Sequence, residues 1–247
     1  MKCQQFLGLS LLIGALTLSM IRTAGGTQTL NAVEAPRGGV ASRDDCLSTD
    51  ALSAAIRTLS FGTFEDQQKT VALLKSDANR TATCRQQVVT SLLSAMNQPR
   101  LDLTGGEPQF YLWHYGTRLL SELKAVEALD LLIANFDLHD GTSFPFNHHP
   151  ALVGVIDMGE IALPKLQAVL KDYPDSNTRQ YAVFCIALIG GESAHQILRQ
   201  ALKGESDPCV ASCIRASLLA FNNKRRPHQI SDVGRTTWYT TFLCDGK

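Results

Sequence analysis

One stretch constrains the fold more than any other: ALPKLQAVLKDYPDSNTRQYAVFCIALIGG, Ala162 to Gly191. Leu163, Leu166, Val169 and Leu170 are spaced to form one apolar helical face. Pro164 falls in the first turn of that helix, where its missing N–H costs nothing. Asp175 is placed to cap a second helix carrying Tyr181, Ala182, Cys185, Ile186 and Ile189. The next segment, SAHQILRQALKGESDPCVASCIRASLLAF, repeats the plan. Aligning Gly159-Glu160 with Gly191-Glu192 gives an offset of 32 residues and puts Leu166, Leu170 and Lys171 on Leu198, Leu202 and Lys203. Upstream, AVEALDLLIANF lies 34 to 35 residues before ALPKLQAVL with its leucines in register. A period in the thirties with two helices per unit is the pattern of an α-solenoid.

These residues resemble a HEAT repeat, and the bacterial HEAT-like repeats in particular. The matching positions are Pro164 in the first helix, Asp172 at its end, and Arg179 followed by Ala182 in the second. Thr178 stands where the family usually has Val before that Arg. The following unit keeps Leu198, Leu202, the Asp207 cap and Val210, but has Ala211 where Arg is expected. The resemblance covers about 160–221 well and 108–158 more loosely. Working backwards gives helix pairs at about 82–97 with 108–123, 125–137 with 148–158, 161–171 with 175–189, and 192–203 with 207–221. Pro108, Pro150 and Pro208 sit in the first turn of the second helices. A pair near 48–77 and a capping tail over 222–247 close the two ends of a repeat domain spanning 46–221. The expected fold class is all-α, an α-solenoid of antiparallel helix pairs; strand-like alternation enters only at TTWYTTFL, Thr236 to Leu243.

Two segments precede this domain. Lys2 and the apolar run from Phe6 to Ile21, followed by small residues at Ala24, Gly25 and Gly26, have the form of a signal peptide over 1–25. The run is shorter than the ~20 residues that cross a bilayer comfortably, so a cleaved signal is favoured over a retained anchor. Residues 26–45 show no apolar periodicity and suit a flexible linker. Export to a periplasmic or extracellular compartment leaves six cysteines after Cys3 is removed: Cys46, Cys84, Cys185, Cys209, Cys213 and Cys244. Six cysteines allow 15 pairings. Cys46 with Cys84 is the preferred bridge, Cys244 is expected to tie the tail to Cys209 or Cys213, and Cys185 suits a buried unreactive thiol. With 23 basic and 23 acidic side chains, the chain lacks the clustered positive excess that nucleic acid demands.

Two joins between paired helices are long. Within NQPRLDLTGGEP, Asn97 to Pro108, and DLHDGTSFPFNHHP, Asp137 to Pro150, the stretches Asp102-Leu103-Thr104-Gly105-Gly106 and Asp137-Leu138-His139-Asp140-Gly141 are related by a shift of 35 residues. Corresponding joins in a solenoid line one edge, so both should stand side by side as a binding ridge. Asp102, Thr104, Asp137, His139, Asp140, His148 and His149 are the candidate partner-binding residues, together with the polar face of the second helices. His148 and His149 fall near the first turn of a helix that Asn147 can cap, so capping and packing are their ordinary roles. His139, His148 and His149 are also the candidate ligands of a metal-binding protein or metal-dependent hydrolase, although their spacing matches no metal motif. Phe110, Trp113 and Tyr115 in FYLWHYG suit a helix face turned into the core. Ser121-Glu122-Leu123-Lys124 spells the Ser-x-x-Lys of penicillin-binding enzymes, but at the end of a helix and without a Lys-Thr-Gly companion.

The HEAT resemblance implies a scaffold or adaptor that binds another protein, with no catalysis, no cofactor and no membrane contact beyond the signal. Some bacterial HEAT-like proteins resemble bilin lyases, which attach chromophores to cysteines of other proteins; export and oxidised cysteines count against that activity here.

Overall fold

A computed structural model of the chain describes residues 45–97, 108–138 and 149–222, with side chains to 219. Residues 1–44, which hold the expected signal and linker, the tail beyond residue 222 and residues 98–107 and 139–148 of the two long joins lie outside the described residues.

Every regular element among the described residues is helical. The helices are α1 (Thr49–Phe61), α2 (Phe64–Ala78), α3 (Ala82–Met96), α4 (Pro108–Glu122), α5 (Leu129–Ile133), α6 (Pro150–Met158), α7 (Leu163–Asp172), α8 (Ser176–Ile189), α9 (Gly191–Gly204) and α10 (Pro208–Asn222). Short polar side chains start five of them. Ser48, Thr63, Thr81 and Asp175 each accept a hydrogen bond from an N–H in the first turn of the helix that follows. Asp66 returns the bond to Thr63 and completes a capping box. Asp207 accepts from the backbone N–H groups of Cys209 and Val210 at 2.8 and 3.1 Å. Pro108, Pro150 and Pro208 are the first residues of α4, α6 and α10, as their fixed φ favours.

Three expected boundaries shift for local reasons. The helix expected over 125–137 is a 3-10 turn, Val126–Ala128, followed by the short α5. Residues 134–137 then form turns that carry Phe136 and Leu138 into the core, at 1% and 2% exposure. The helix expected from 148 begins at Pro150, because a residue before proline is pushed out of the helical region. His149 accordingly has φ −114° and ψ 74°, and occupies the cap position rather than the first turn. The helix expected from 161 opens with a 3-10 turn, Gly159–Ala162, and becomes α-helical at Leu163.

The packing runs in sequence order: α4 lies against α6, α6 against α8, and α8 against α10, while α7 touches α9. At the N-terminal end, α1 continues from α4, and α2 packs on α1 and α3. Leu119 and Leu120 of α4, Leu132 of α5, Leu152 of α6, Leu166 of α7 and Ile186 of α8 are fully buried between these helices. Phe110, Trp113 and Tyr115 are buried too, while His114 between them faces outward.

Covalent and ionic ties secure both ends of the described region. Cys46 and Cys84 form a disulfide with a Cα–Cα distance of 5.1 Å across 38 residues, worth about 4 kcal/mol in the chain-entropy model. Beside it the buried Asp77 accepts from the Leu47 N–H at 3.1 Å, which fixes the entry to α1 on the end of α2. Arg179, on α8, meets Glu205 beyond α9 through Nε and Nη2, both at 3.2 Å. It also donates to the carbonyls of Tyr173 and Pro174, at 2.8 and 3.1 Å, just past α7. Arg179 thus joins the ends of two helices. Both partners are mostly buried, so losing one leaves a buried charge without its counter-ion. Glu205→Ala is expected to cost about 3 kcal/mol of unfolding free energy in urea titrations, the range for a broken buried pair.

Cys185 and Cys213 are buried thiols, and burial pushes the Cys185 thiol well up. Burial and the nearby Asp207 carboxylate push the Cys213 thiol up to about 11. Cys209 is disulfide-bonded. Of the two cysteines expected to tether the tail, Cys209 is therefore the oxidised one; Cys244 itself lies outside the described residues. Non-reducing peptide mapping of the oxidised protein is expected to join the Cys209 and Cys244 peptides. Cys213 should be alkylated only after unfolding, and a Cys213–Cys244 peptide would reverse the assignment.

Candidate functional site

The two long joins lead into α4 and α6, which pack directly on each other. Their approach is close because Gly154 of α6 presents no side chain. A Cβ there would lie 3.1 Å from Cβ of Thr117 on α4. Thr117 has little room to move, since its hydroxyl donates to the Trp113 carbonyl at 2.7 Å.

The far end of this pair depends on Lys124. Lys124 has φ +52°, the single positive φ at a non-glycine among the described residues. The Lys124 N–H reaches Ser121 O at 3.0 Å and the Ala125 N–H reaches Leu120 O at 2.9 Å, which is the Schellman ending of α4. Glycine usually fills that left-handed position, and a side chain there costs about 1 kcal/mol. Here the side chain has a task. Lys124 Nζ donates to the carbonyls of Asp157 and Met158, at 2.8 and 3.1 Å, and so caps the end of α6.

Between α4 and α6 lies a cleft of about 390 Å³. Arg118, Glu122 and Lys124 line it from α4 and its exit, and Pro150, Val153 and Asp157 line it from α6. Arg118 Nε donates to Glu122 at 3.2 Å, and Lys75 of α2 reaches the other oxygen of Glu122 at 2.8 Å. The Lys75 hydrogen bond, reinforced by Arg118, holds the Glu122 carboxyl below its ordinary value against the opposing effect of burial. Asp157 behaves oppositely. It stands on the rim, within reach of water, yet the surrounding helices desolvate its carboxyl enough to raise its pKa despite Lys124 and Arg118.

Of the expected partner-binding residues, Asp137 and His149 are described; Asp102, Thr104, His139, Asp140 and His148 lie outside the described residues. Asp137 is exposed in the turn after α5. His149 is half-buried before α6 and makes no side-chain cap to that helix. Asn147, the expected cap, lies outside the described residues. Both joins leave from anchored positions: Met96 before the first and Leu138 before the second are 1% and 2% exposed. Among the described residues no group of three or more His, Cys, Asp or Glu is placed to hold a metal ion, and no helix is long and apolar enough to cross a membrane.

Ser121 and Lys124 do not act as a pair. The Ser121 hydroxyl donates to Arg118 O at 2.8 Å, while Lys124 is held by α6. Arg118 and Asp157 escaped the sequence reading, and Glu122 and Lys124 entered it only through the Ser-x-x-Lys spelling. One signal was present: Asp157 is the single charged residue in the otherwise apolar helix PALVGVIDM.

The opposed shifts have opposite signs in stability. Glu122, with its pKa lowered, stabilises the fold above its unfolded value near 4.5, and that contribution is lost as pH falls through the folded value. Asp157, with its pKa raised from 3.8, is least unfavourable when protonated, so its contribution falls as pH rises through the folded value. Asp157→Asn should therefore raise stability at pH 7 by under about 1 kcal/mol. That gain should vanish in acid, whereas Glu122→Gln should lower stability at pH 7, both followed by unfolding curves across pH.

No protein-family model matches the chain, and no curated protein or solved structure matches it.

Proposed function

We propose that this protein is an exported α-solenoid of HEAT-like repeats that binds another protein and performs no catalysis. The observation that carries this reading is the packing of α4 directly on α6. Two helices that touch side by side and are each entered from a long join bring the two entry points, Pro108 and Pro150, to one edge. The succession of α4, α6, α8 and α10 supports the repeat reading, as do the matched Pro164, Asp175, Arg179 and Asp207 signals in the last two pairs. The Cys46–Cys84 disulfide supports an oxidising, exported setting.

The contact surface is the edge formed by 98–107 and 137–149, continued by the polar sides of the second helices. Such an edge is cheap to elaborate. The helices beneath bury their apolar faces among themselves, so lengthening a join costs only a slowly growing loop entropy. Its anchors, Met96, Leu138 and Pro150, are all buried, which ties each join to the rigid helices.

Replacing residues 139–147, and so keeping the buried Leu138, with a short Gly-Ser turn is expected to abolish capture of the native partner from the export compartment. Far-UV circular dichroism should keep its helical signature. Capture of the same partner by the shortened protein would remove this edge from the reading.

A further inference from the structure

Arg118 and Asp157 face one cleft from α4 and α6, and the fold leaves part of each unused. The Arg118 side chain commits Nε to Glu122, at 3.2 Å, and its terminal nitrogens make no bond to any described residue. The Asp157 carboxylate makes no ion pair or hydrogen bond with any described residue, though Arg118 and Lys124 are near enough to be felt. The neighbours are already engaged: Lys124 is held by two carbonyls, and Glu122 is shared by Lys75 and Arg118. What remains is a guanidinium edge and a carboxylate of opposite sign on two walls, with Val153 and Pro150 as apolar surface beside them.

Charge balance selects among ligands. A simple anion drawn to Arg118 meets the negative Glu122 and Asp157. A simple cation drawn to Asp157 meets Arg118 and Lys124. A ligand carrying both signs improves both ends at once. The volume, about 390 Å³, lies toward the small end of ordinary ligand sites, which run from roughly 300 to 1,000 Å³. The arginine edge matches a carboxylate through two parallel N–H···O bonds.

We propose that the cleft between α4 and α6 binds a small zwitterion, an α-amino acid or a dipeptide, with its carboxylate on Arg118 and its ammonium on Asp157. An aliphatic ligand side chain lies along Val153 and Pro150. The residues that line the site are carried by α4, α6 and their ends, and the proposal does not depend on the protein-binding reading.

Calorimetric titration of the full chain with leucine and with the dipeptide Ala-Leu tests it. Leucine amide, which lacks the carboxylate, and N-acetyl-leucine, which lacks the ammonium, serve as half-charged probes. At least one zwitterion is expected to bind, and each half-charged probe should bind about tenfold or more weakly than leucine, or not at all. Which zwitterion binds tells a free amino acid from a peptide. Arg118→Gln should weaken the zwitterion while leaving leucine amide unaffected. Asp157→Asn, a near-isosteric change at an exposed position, should weaken the zwitterion without weakening N-acetyl-leucine. The carboxyl carbon signal of Asp157 should also titrate at lower pH with the zwitterion bound, as an ammonium partner dictates. Failure of both zwitterions to bind would overturn the proposal. So would equal binding of the half-charged probes, or affinity unchanged by both variants in folded protein.

Discussion

Every α-helix ends with carbonyls that have no partner within it, and a chain built from short helices carries many such ends. In this protein a recurring answer is a cation from a neighbouring segment. Lys124 reaches from the exit of α4 to the last carbonyls of α6. Arg179 reaches from α8 to the carbonyls that follow α7 and pairs with Glu205 beyond α9. Arg85 of α3 reaches Glu127 at 2.8 Å and comes within 3.4 to 3.5 Å of the Leu123 and Lys124 carbonyls beyond α4. The Glu127 pairing raises Arg85 and, in return, holds Glu127 low. Apolar burial drives the helices together without direction. These cation-to-carbonyl bonds supply direction, because each is satisfied only when a particular end lies beside a particular neighbour.

Much of this was legible in the residues. The starts of α8 and α10 were readable from Asp175 and Asp207, and that of α4 from Pro108, because caps and first-turn prolines act locally, whereas α6 starts two residues later than its spacing suggested. The Cys46–Cys84 bridge was favoured by position and an oxidising context, and it formed. The region after α4 was harder. Its apolar spacing suited a long helix over 125–137, but periodicity reports burial and carries no information about where a backbone turns. Residues 134–137 leave the helical path so that Phe136 can meet Tyr181, with ring centroids 6.1 Å apart. That choice belongs to a contact 45 residues away in sequence, which no local pattern contains.

The cleft was invisible for a related reason. Arg118, Glu122 and Asp157 look like ordinary charged residues on helix faces, and only the approach of α4 to α6 makes them neighbours. Gly154 was the missing clue. In an isolated helix it would count as a weakness of about 1 kcal/mol relative to alanine, whereas here it is the space that Thr117 fills. The Ser-x-x-Lys spelling had the reverse fate, since the fold assigns its serine and its lysine to separate structural bonds.

The orientation of Arg118 follows from the same ionic logic that orders the helix ends. Glu122 fixes its Nε, and Lys75, projecting from α2, fixes Glu122 in turn. The guanidinium edge facing the cleft is thus set by a chain of contacts that crosses from α2 to α4, all on helices rather than on joins. Asp157 is set by α6, whose end is itself fastened to α4 through Lys124. Groups held on rigid elements with supporting partners lose little freedom when a ligand arrives, and that preorganisation is what a small cleft needs in order to discriminate.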